Sequence, residues 1–172
     1  MLNDKMAFIL RKDNNQGSAE AFIQSWHRYR DYLASIADKL PDSAREFALA
    51  DWHHDFDDHR APHDAWVEAV HIFETALGER QEQRQIHIKV RLLGAYHDGH
   101  IEIEYMYVRR YSINSIYPNH GDWGYDEIRL SDDGHVLHEI EFEMGDTAWL
   151  IECENIRYTW LPGKALDEST QT

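Results

Sequence analysis

The stretch that decides the fold is IHIKVRLLGAYHDGHIEIEYMYVRRY, residues 86–111. Apolar and polar side chains alternate on both sides of Asp98-Gly99, and such a dipeptide is a strong signal for a two-residue hairpin turn. Folding the chain about this turn places Leu92 opposite Tyr105 and collects the apolar side chains on one face. The sequence therefore predicts an antiparallel hairpin, because turn, register and apolar face agree.

Three more hairpins are predicted between residues 125 and 161, where the same alternation continues. The predicted turns, each with one cross-strand pair, are Asp132–Gly134 (Leu130 with Val136), Gly145-Asp146 (Ile140 with Ile151) and Glu154-Asn155 (Ile151 with Tyr158). All three hairpins leave their apolar residues on one continuous face. Four consecutive strands are expected here.

The clearest helix precedes the strands. Its apolar residues recur every three or four positions, which is one stripe of a 3.6-residue helix: Phe22, Trp26, Tyr29, Leu33, Ile36 and Leu40. Ser18 is the expected N-cap, and Pro41 closes the helix. A second helix follows, with Ser43 and Glu46 at the spacing of a capping box.

The expected fold class is α+β, with two N-terminal helices packed on an antiparallel β-meander of about six to seven strands. The chain forms a single domain, 1–172: a helical part with a His/Asp-rich loop (1–64), the sheet (65–161) and a polar tail (162–172). Residues 65–77 fit either a helix or a strand, and the strands that follow favour a strand. Residues 6–10 are expected to form a short strand. The sheet is either open or a partial barrel.

Composition limits the partners of this chain. It carries 32 acidic and 17 basic residues, a formal charge of −15. Nucleic acid and anionic membranes bind through Lys and Arg, so neither is an expected partner, whereas a basic protein is. The one cysteine, Cys153, excludes an intramolecular disulfide and is expected to be a buried, inert thiol. With no secretory signal in the sequence, the expected location is cytoplasmic.

Residues 51–64 form the strongest candidate for metal chemistry. Imidazole and carboxylate side chains together suit a divalent transition metal, the one cofactor that the sequence indicates. The candidate ligands are His53, His54, Asp55, His59 and His63. The alternative is a solvated polar loop, because no known metal signature is present. Proximity of this loop to the hairpin turn at residues 97–100 would favour the metal site.

Two further regions are candidates for binding a partner. The reverse face of the sheet is expected to carry an exposed row of carboxylates, namely Glu139, Glu141, Glu143 and Glu152. A basic partner would relieve the repulsion between them. The long connection at 112–124 contains Tyr117 and Trp123, residue types that are frequent at binding surfaces. His138 is expected inside the core as a neutral histidine.

The sequence leaves three functions open. The first is an acidic, non-catalytic protein-binding module, for which an immunity-type inhibitor of a basic partner protein is the concrete form. The second is a metal-binding protein or metal-dependent enzyme that uses the 51–64 loop. The third is a ligand pocket inside a curled sheet, lined by aromatic residues: Tyr105, Tyr107, Trp149 and Trp160.

Overall fold

The computed structural model describes residues 7–10, 17–143 and 147–163, which form two helices followed by a six-stranded antiparallel sheet. The helices are α1 (Ala19–Ile36), continued by a 3-10 turn (Ala37–Lys39), and α2 (Asp42–Ala48). The strands are β1 (Trp66–Leu77), β2 (Gln83–Leu93), β3 (Gly99–Ser112), β4 (Trp123–Leu130), β5 (Val136–Phe142) and β6 (Ala148–Pro162). Their order in the sheet is β1-β2-β3-β6-β5-β4. The predicted α+β class is confirmed, and the sheet is open.

Helix α1 follows its predicted stripe. Tyr29, Leu33 and Ile36 are buried, and the Ser18 hydroxyl accepts a hydrogen bond from the Ala21 N–H at 3.3 Å. Tyr29 also anchors the helix to the sheet, because its hydroxyl accepts from the Ile128 N–H at 2.7 Å. The aromatic stripe therefore covers the β4 side of the sheet, as the pattern predicted.

Two local predictions for the N-terminal part are wrong. Helix α2 begins at Asp42 and has no side-chain cap, because Ser43 donates its hydroxyl hydrogen to the Ile156 carbonyl, at 2.7 Å, and so fastens the helix to β6. Residues 7–10 form no strand. The backbone N–H groups of Phe8, Ile9 and Leu10 instead donate to one oxygen of the Glu127 carboxylate.

The hairpin between β4 and β5 has the predicted register. Leu130 lies opposite Val136, and Ile128 lies opposite His138. Gly134 has φ 80°, a left-handed conformation that glycine adopts without steric cost. Residues 65–77 are confirmed as a strand.

The register predicted for the hairpin between β2 and β3 is wrong by four residues. Leu92 lies opposite Ile101, because the loop extends from residue 94 to 98 and His97, not Gly99, takes the positive φ. Gly99 is required for another reason: a Cβ atom there would lie 2.3 Å from the Trp160 ring. The even offset keeps Ile101, Ile103 and Tyr105 on their predicted inward face, but a bulge before Val108 turns Tyr107, which was predicted to face inward, to the outer face.

The C-terminal hairpins also differ from prediction. Ile140 lies opposite Trp149 rather than Ile151. No turn occurs at Glu154-Asn155, so one long strand, β6, replaces two short ones and pairs with both β5 and β3. The two polar residues lie in this strand because Glu154 binds Arg109 of β3 and Asn155 Oδ1 lies 3.0 Å from the Ser43 hydroxyl of α2.

The two edges of the sheet meet at one end only. Trp66 of β1 bridges Asp122, the residue before β4, and the Trp123 N–H donates to the Ala65 carbonyl at 3.0 Å. Beyond this point the described residues of β1 and β4 are not paired with each other. The meeting point holds the turns between α2 and β1 against the sheet, and there the buried polar groups described next are found.

Candidate functional site

Asp126 on the inward face of β4 is the centre of a buried hydrogen-bond network. It is 2% exposed. One carboxylate oxygen, Oδ2, lies 2.8 Å from His53 Nε2 and 2.9 Å from His138 Nε2. The other, Oδ1, accepts from the indole N–H of Trp123 at 3.1 Å. A charge at this depth requires such a complete set of partners.

Four parts of the fold converge on this carboxylate. His53 lies in the turns that follow α2, with Nδ1 3.0 Å from the Phe47 carbonyl and its ring stacked on Phe47. His138 comes from β5, and its Nδ1 lies 2.9 Å from the hydroxyl of Tyr105 on β3. The network thus joins α2, β3, β4 and β5 inside the core, where each member also fixes its neighbour's orientation.

The partners determine where the protons are. Burial alone raises the pKa of Asp126, but His53 and His138 hold it well below the usual value, so this group is a carboxylate. A carboxylate can only accept, so His53 and His138 both donate to it from Nε2. His138 accepts at Nδ1 from Tyr105, whose pKa burial raises well above the usual value. Asp126 is therefore a buried carboxylate held by three donors.

His54 extends the network towards the surface. Its Nε2 donates to the Asp126 carbonyl at 3.2 Å, and its ring stacks on His53 with centroids 4.1 Å apart. Burial and the neighbouring His53 lower the pKa of His54 to about 3, so the ring is neutral at ordinary pH. Its outer side faces a cleft of about 640 Å³ between α1 and residues 48–55, which is also lined by Trp26, Asp51 and Asp55.

The same residues could hold a metal ion. Ligand atoms of His53, His54 and Asp126 all lie within 4.8 Å of one another. Two imidazoles and a carboxylate are a ligand set that Zn²⁺ and other transition metals use. A metal binds imidazole nitrogens only where they carry no proton, so binding here would release protons and would depend on pH.

The 51–64 loop divides its five predicted ligands between two places. His53 and His54 meet at Asp126, whereas Asp55, His59 and His63 lie near the surface. His59 binds Asp98 of the β2–β3 loop and stacks on Tyr96 with centroids 4.0 Å apart. The two loops are therefore adjacent, which is the proximity that would favour a metal site. His63 instead stacks on Phe56. These three side chains thus point to separate partners.

Two of the four carboxylates expected on an exposed face are buried. Glu139 and Glu152 are 4% and 5% exposed, and they bind Arg129 and Arg110 within the same chain. Glu141 and Glu143 are partly exposed. The sequence did not indicate that arginines on neighbouring strands neutralise this row.

The aromatic candidates are also divided. Tyr117 is exposed, but Trp123 is fully buried beside Asp126. Of the residues named for an internal pocket, Tyr105 and Trp149 are packed in the core, whereas Tyr107 is 41% exposed against His87 on the outer face. Tyr105 and Tyr107 therefore lie on opposite sides of the sheet.

Asp126 is the central residue of the candidate site that sequence reasoning missed. A signal was present: in the predicted β4–β5 hairpin, Asp126 shares the inward face with Ile128, one pair away from His138. A lone carboxylate and a lone histidine at neighbouring inward positions predict a buried contact between them, because each needs a partner there.

Within the described residues, no helix is both long and apolar enough to cross a membrane. The chain matches no protein-family model, no curated protein and no solved structure. What it does must therefore be argued from its own surface and network.

Proposed function

We propose that this protein is a non-catalytic binding module that holds a basic partner protein through the acidic turn, defined here by Asp51, Asp55 and Asp57. All three side chains are exposed. Residues 38–64 contain eight acidic and three basic residues. Two of those three, Arg45 and Arg60, are already engaged by Asp42 and Asp58. This surplus of exposed carboxylate is the observation that carries the proposal.

The outer face of the sheet makes the contrast clear. There Glu104 binds both Lys89 and Arg157, at 2.6 and 3.1 Å, and Glu102 binds Arg91 at 3.3 Å. Charges of both signs alternate and neutralise one another on this face. A basic protein is therefore attracted to the acidic turn rather than to the sheet, and the attraction speeds association.

The cleft beside the acidic turn suits a basic side chain. Asp51 and Asp55 line it together with Trp26, and these two carboxylates outnumber its one lining cation, Arg30. A Lys or Arg side chain of the partner that entered here would meet carboxylates and an aromatic ring at once, which combines ion pairing with a cation–π contact. The cleft thus gives the acidic turn a concave anchor point, as binding hot spots commonly have.

The immunity-type inhibitor is the concrete form of this proposal. Such a protein covers the basic active surface of its target and needs no chemistry of its own. The burial of Asp126, His53 and His138 supports a binding role, because these acid–base groups already satisfy one another inside the core. They stabilise the turns that present the acidic side chains.

Affinity capture with matched charge reversals tests the proposal. The bait is the full chain, used against lysate of the organism that encodes it at low salt. We expect basic proteins on the wild type, their loss with Asp51→Lys/Asp55→Lys, and their retention with Glu79→Lys/Glu82→Lys. The control pair makes the same change of charge at exposed positions between β1 and β2.

The captured protein is then purified and titrated into the wild type and both variants. We expect its Kd to rise with salt, because exposed charges are screened. Capture that is equal for both double variants, or a partner that binds more tightly at high salt, would contradict the proposal.

A second candidate function is metal binding at His53, His54 and Asp126, favoured by the convergence of their ligand atoms. Elemental analysis after purification without chelator tests it, together with the change in Tm on adding Zn²⁺. We expect a rise in Tm for the wild type and none for His54→Gln. A metal content far below one equivalent per chain, with no rise in Tm, would exclude this function.

A further inference from the structure

Strand β1 has a free edge along most of its length. It lies at the outside of the sheet, and only Trp66 at its beginning is bridged to another segment. In the described part of the chain, no strand pairs with the outer side of the remaining residues. Ile72, Phe73 and Leu77 are exposed on this edge.

The usual protections of an edge strand are missing here. Proteins place Lys, Pro or a bulge on an edge to stop it from pairing with another chain. Strand β1 contains no Lys and no Pro. Its one irregularity lies between Val67 and Ala69, close to the bridged end. The stretch from Val70 to Leu77 is regular and able to add a strand.

The charges on β1 do not prevent self-association. Its two acidic residues, Glu68 and Glu74, are bound by Arg91 and Arg84 of β2, at 3.1 and 2.8 Å. The edge is thus locally neutral in a chain whose net charge is −15. A second acidic copy can approach this edge with less repulsion than it would meet at the acidic turn.

We propose that β1 pairs in antiparallel fashion with β1 of a second copy of the chain, around a two-fold axis at Ile72. An axis perpendicular to the sheet keeps each residue on its own face, so Ile72 meets its own copy and Phe73 lies opposite His71 of the second copy. Both pairs bury exposed apolar surface, and the aromatic pair is of a kind that stabilises sheets. Two six-stranded sheets become one.

A second copy fits this edge better than a basic partner does. Self-pairing needs one surface that is complementary to itself, and β1 offers apolar side chains with locally balanced charge. A basic protein is attracted instead to the acidic turn, which lies outside β1. The dimer is therefore independent of the proposed function, and its salt dependence has the opposite sign, because salt screens the repulsion between two acidic chains.

Measuring mass in solution tests the dimer. Sedimentation of the full chain across the micromolar range should show twice the 20.3 kDa of one chain, with the dimer favoured as salt increases. Ile72→Lys places two like charges at the axis, and we expect Kd to rise about tenfold or more, equivalent to about 1.4 kcal/mol or more. Ile116→Lys, the same change at a 64% exposed loop position, should leave the dimer intact.

Cross-linking tests the position of the axis. Cys153 is buried, and burial raises its pKa to about 12, so an introduced cysteine is the reactive thiol. Mild oxidation should link Ile72→Cys into a dimer much faster than Leu77→Cys, which would face the beginning of the second copy's strand. A wild type that stays monomeric at every salt concentration would overturn the dimer, and equal cross-linking rates would overturn the axis at Ile72.

Discussion

The two faces of the sheet carry charge in different ways. On the inward face, Asp126 is almost completely buried, and so are its partners His53 and His138, which solvent does not reach. On the outer face, Glu104 bridges Lys89 and Arg157, and all three side chains are partly exposed. The hydrogen-bond distances of Asp126 and Glu104 are therefore similar, but the free-energy cost of removing a partner differs. The cost is high where the remaining group stays buried and low where it regains water.

Removing the buried carboxylate is expected to have the largest effect. Asp126→Ala leaves three buried donors, on His53, His138 and Trp123, without an acceptor. We expect the free energy of unfolding to fall by about 3–5 kcal/mol, because each buried donor without an acceptor costs about 1–3 kcal/mol. Urea denaturation measures the change, with exposed Asp55→Ala as the control. A loss below about 1 kcal/mol would show that these donors do not depend on Asp126.

Two nearby tyrosines sharpen the comparison. Tyr105→Phe removes the hydroxyl that donates to His138 Nδ1 in the core, and a buried acceptor left without a donor costs about 1–3 kcal/mol. Tyr107→Phe removes an exposed hydroxyl on the other face, and its effect should stay within about 0.5 kcal/mol. Equal effects in thermal or urea unfolding would contradict the assignment of these two residues to opposite faces.

The sequence predicted those features of the sheet that depend on local patterns of residues. Alternation assigned most core residues of β2 to β6 correctly even where the register was wrong, because the errors were even numbers of residues. It failed at Tyr107, which a bulge in β3 turns to the outer face. The three-residue loop at Asp132–Gly134 fixed the register of β4 and β5 through one left-handed glycine. Asp98-Gly99 failed as a turn because the loop begins earlier, and Gly99 is there for the Trp160 ring.

Long-range contacts were beyond the sequence pattern. Nothing local indicates that Glu154 and Asn155 find partners on β3 and α2, so the polar pair resembled a turn and β6 was divided in two. The burial of Glu139 likewise depends on Arg129, which lies on the neighbouring strand. The His/Asp-rich loop was recognised as a candidate site, but its central partner, Asp126, comes from a strand more than seventy residues away.

The pH dependence of stability tests the outer end of the network. Burial lowers the pKa of His54 to about 3 in the folded chain, against about 6.5 when unfolded. Between these values the unfolded chain binds more protons, so the free energy of unfolding falls as the pH falls. Asp126 adds no slope until about pH 4, because its unfolded pKa is about 3.9 and its folded pKa lies lower.

Urea unfolding of chelator-treated protein between about pH 7 and 4.5 lies above the window in which Asp126 contributes. Other histidines such as His120, whose pKa burial also lowers, contribute equally to variant and wild type, so the difference between the two isolates His54. We expect His54→Gln to reduce the slope of stability against pH. Leu49→Gln, a change on the same turn that removes no titrating group, should keep the slope of the wild type. A slope that is identical in all three proteins would mean that His54 is not held neutral by burial.

The smallest effect is expected on the outer face. Glu104→Gln removes the negative charge that Lys89 and Arg157 share, but both cations are half-exposed and regain water, so the loss should be about 0–1 kcal/mol. Lys89 lowers the pKa of Glu104 by hydrogen bonding to it, which shows that the pair is favourable but not how much stability it adds. Added salt should reduce the difference between variant and wild type, because screening acts on exposed charges. A loss that equals that of Asp126→Ala and resists salt would mean that the outer face is covered in solution by a partner other than the β1 dimer, which joins two sheets edge to edge and leaves this face open.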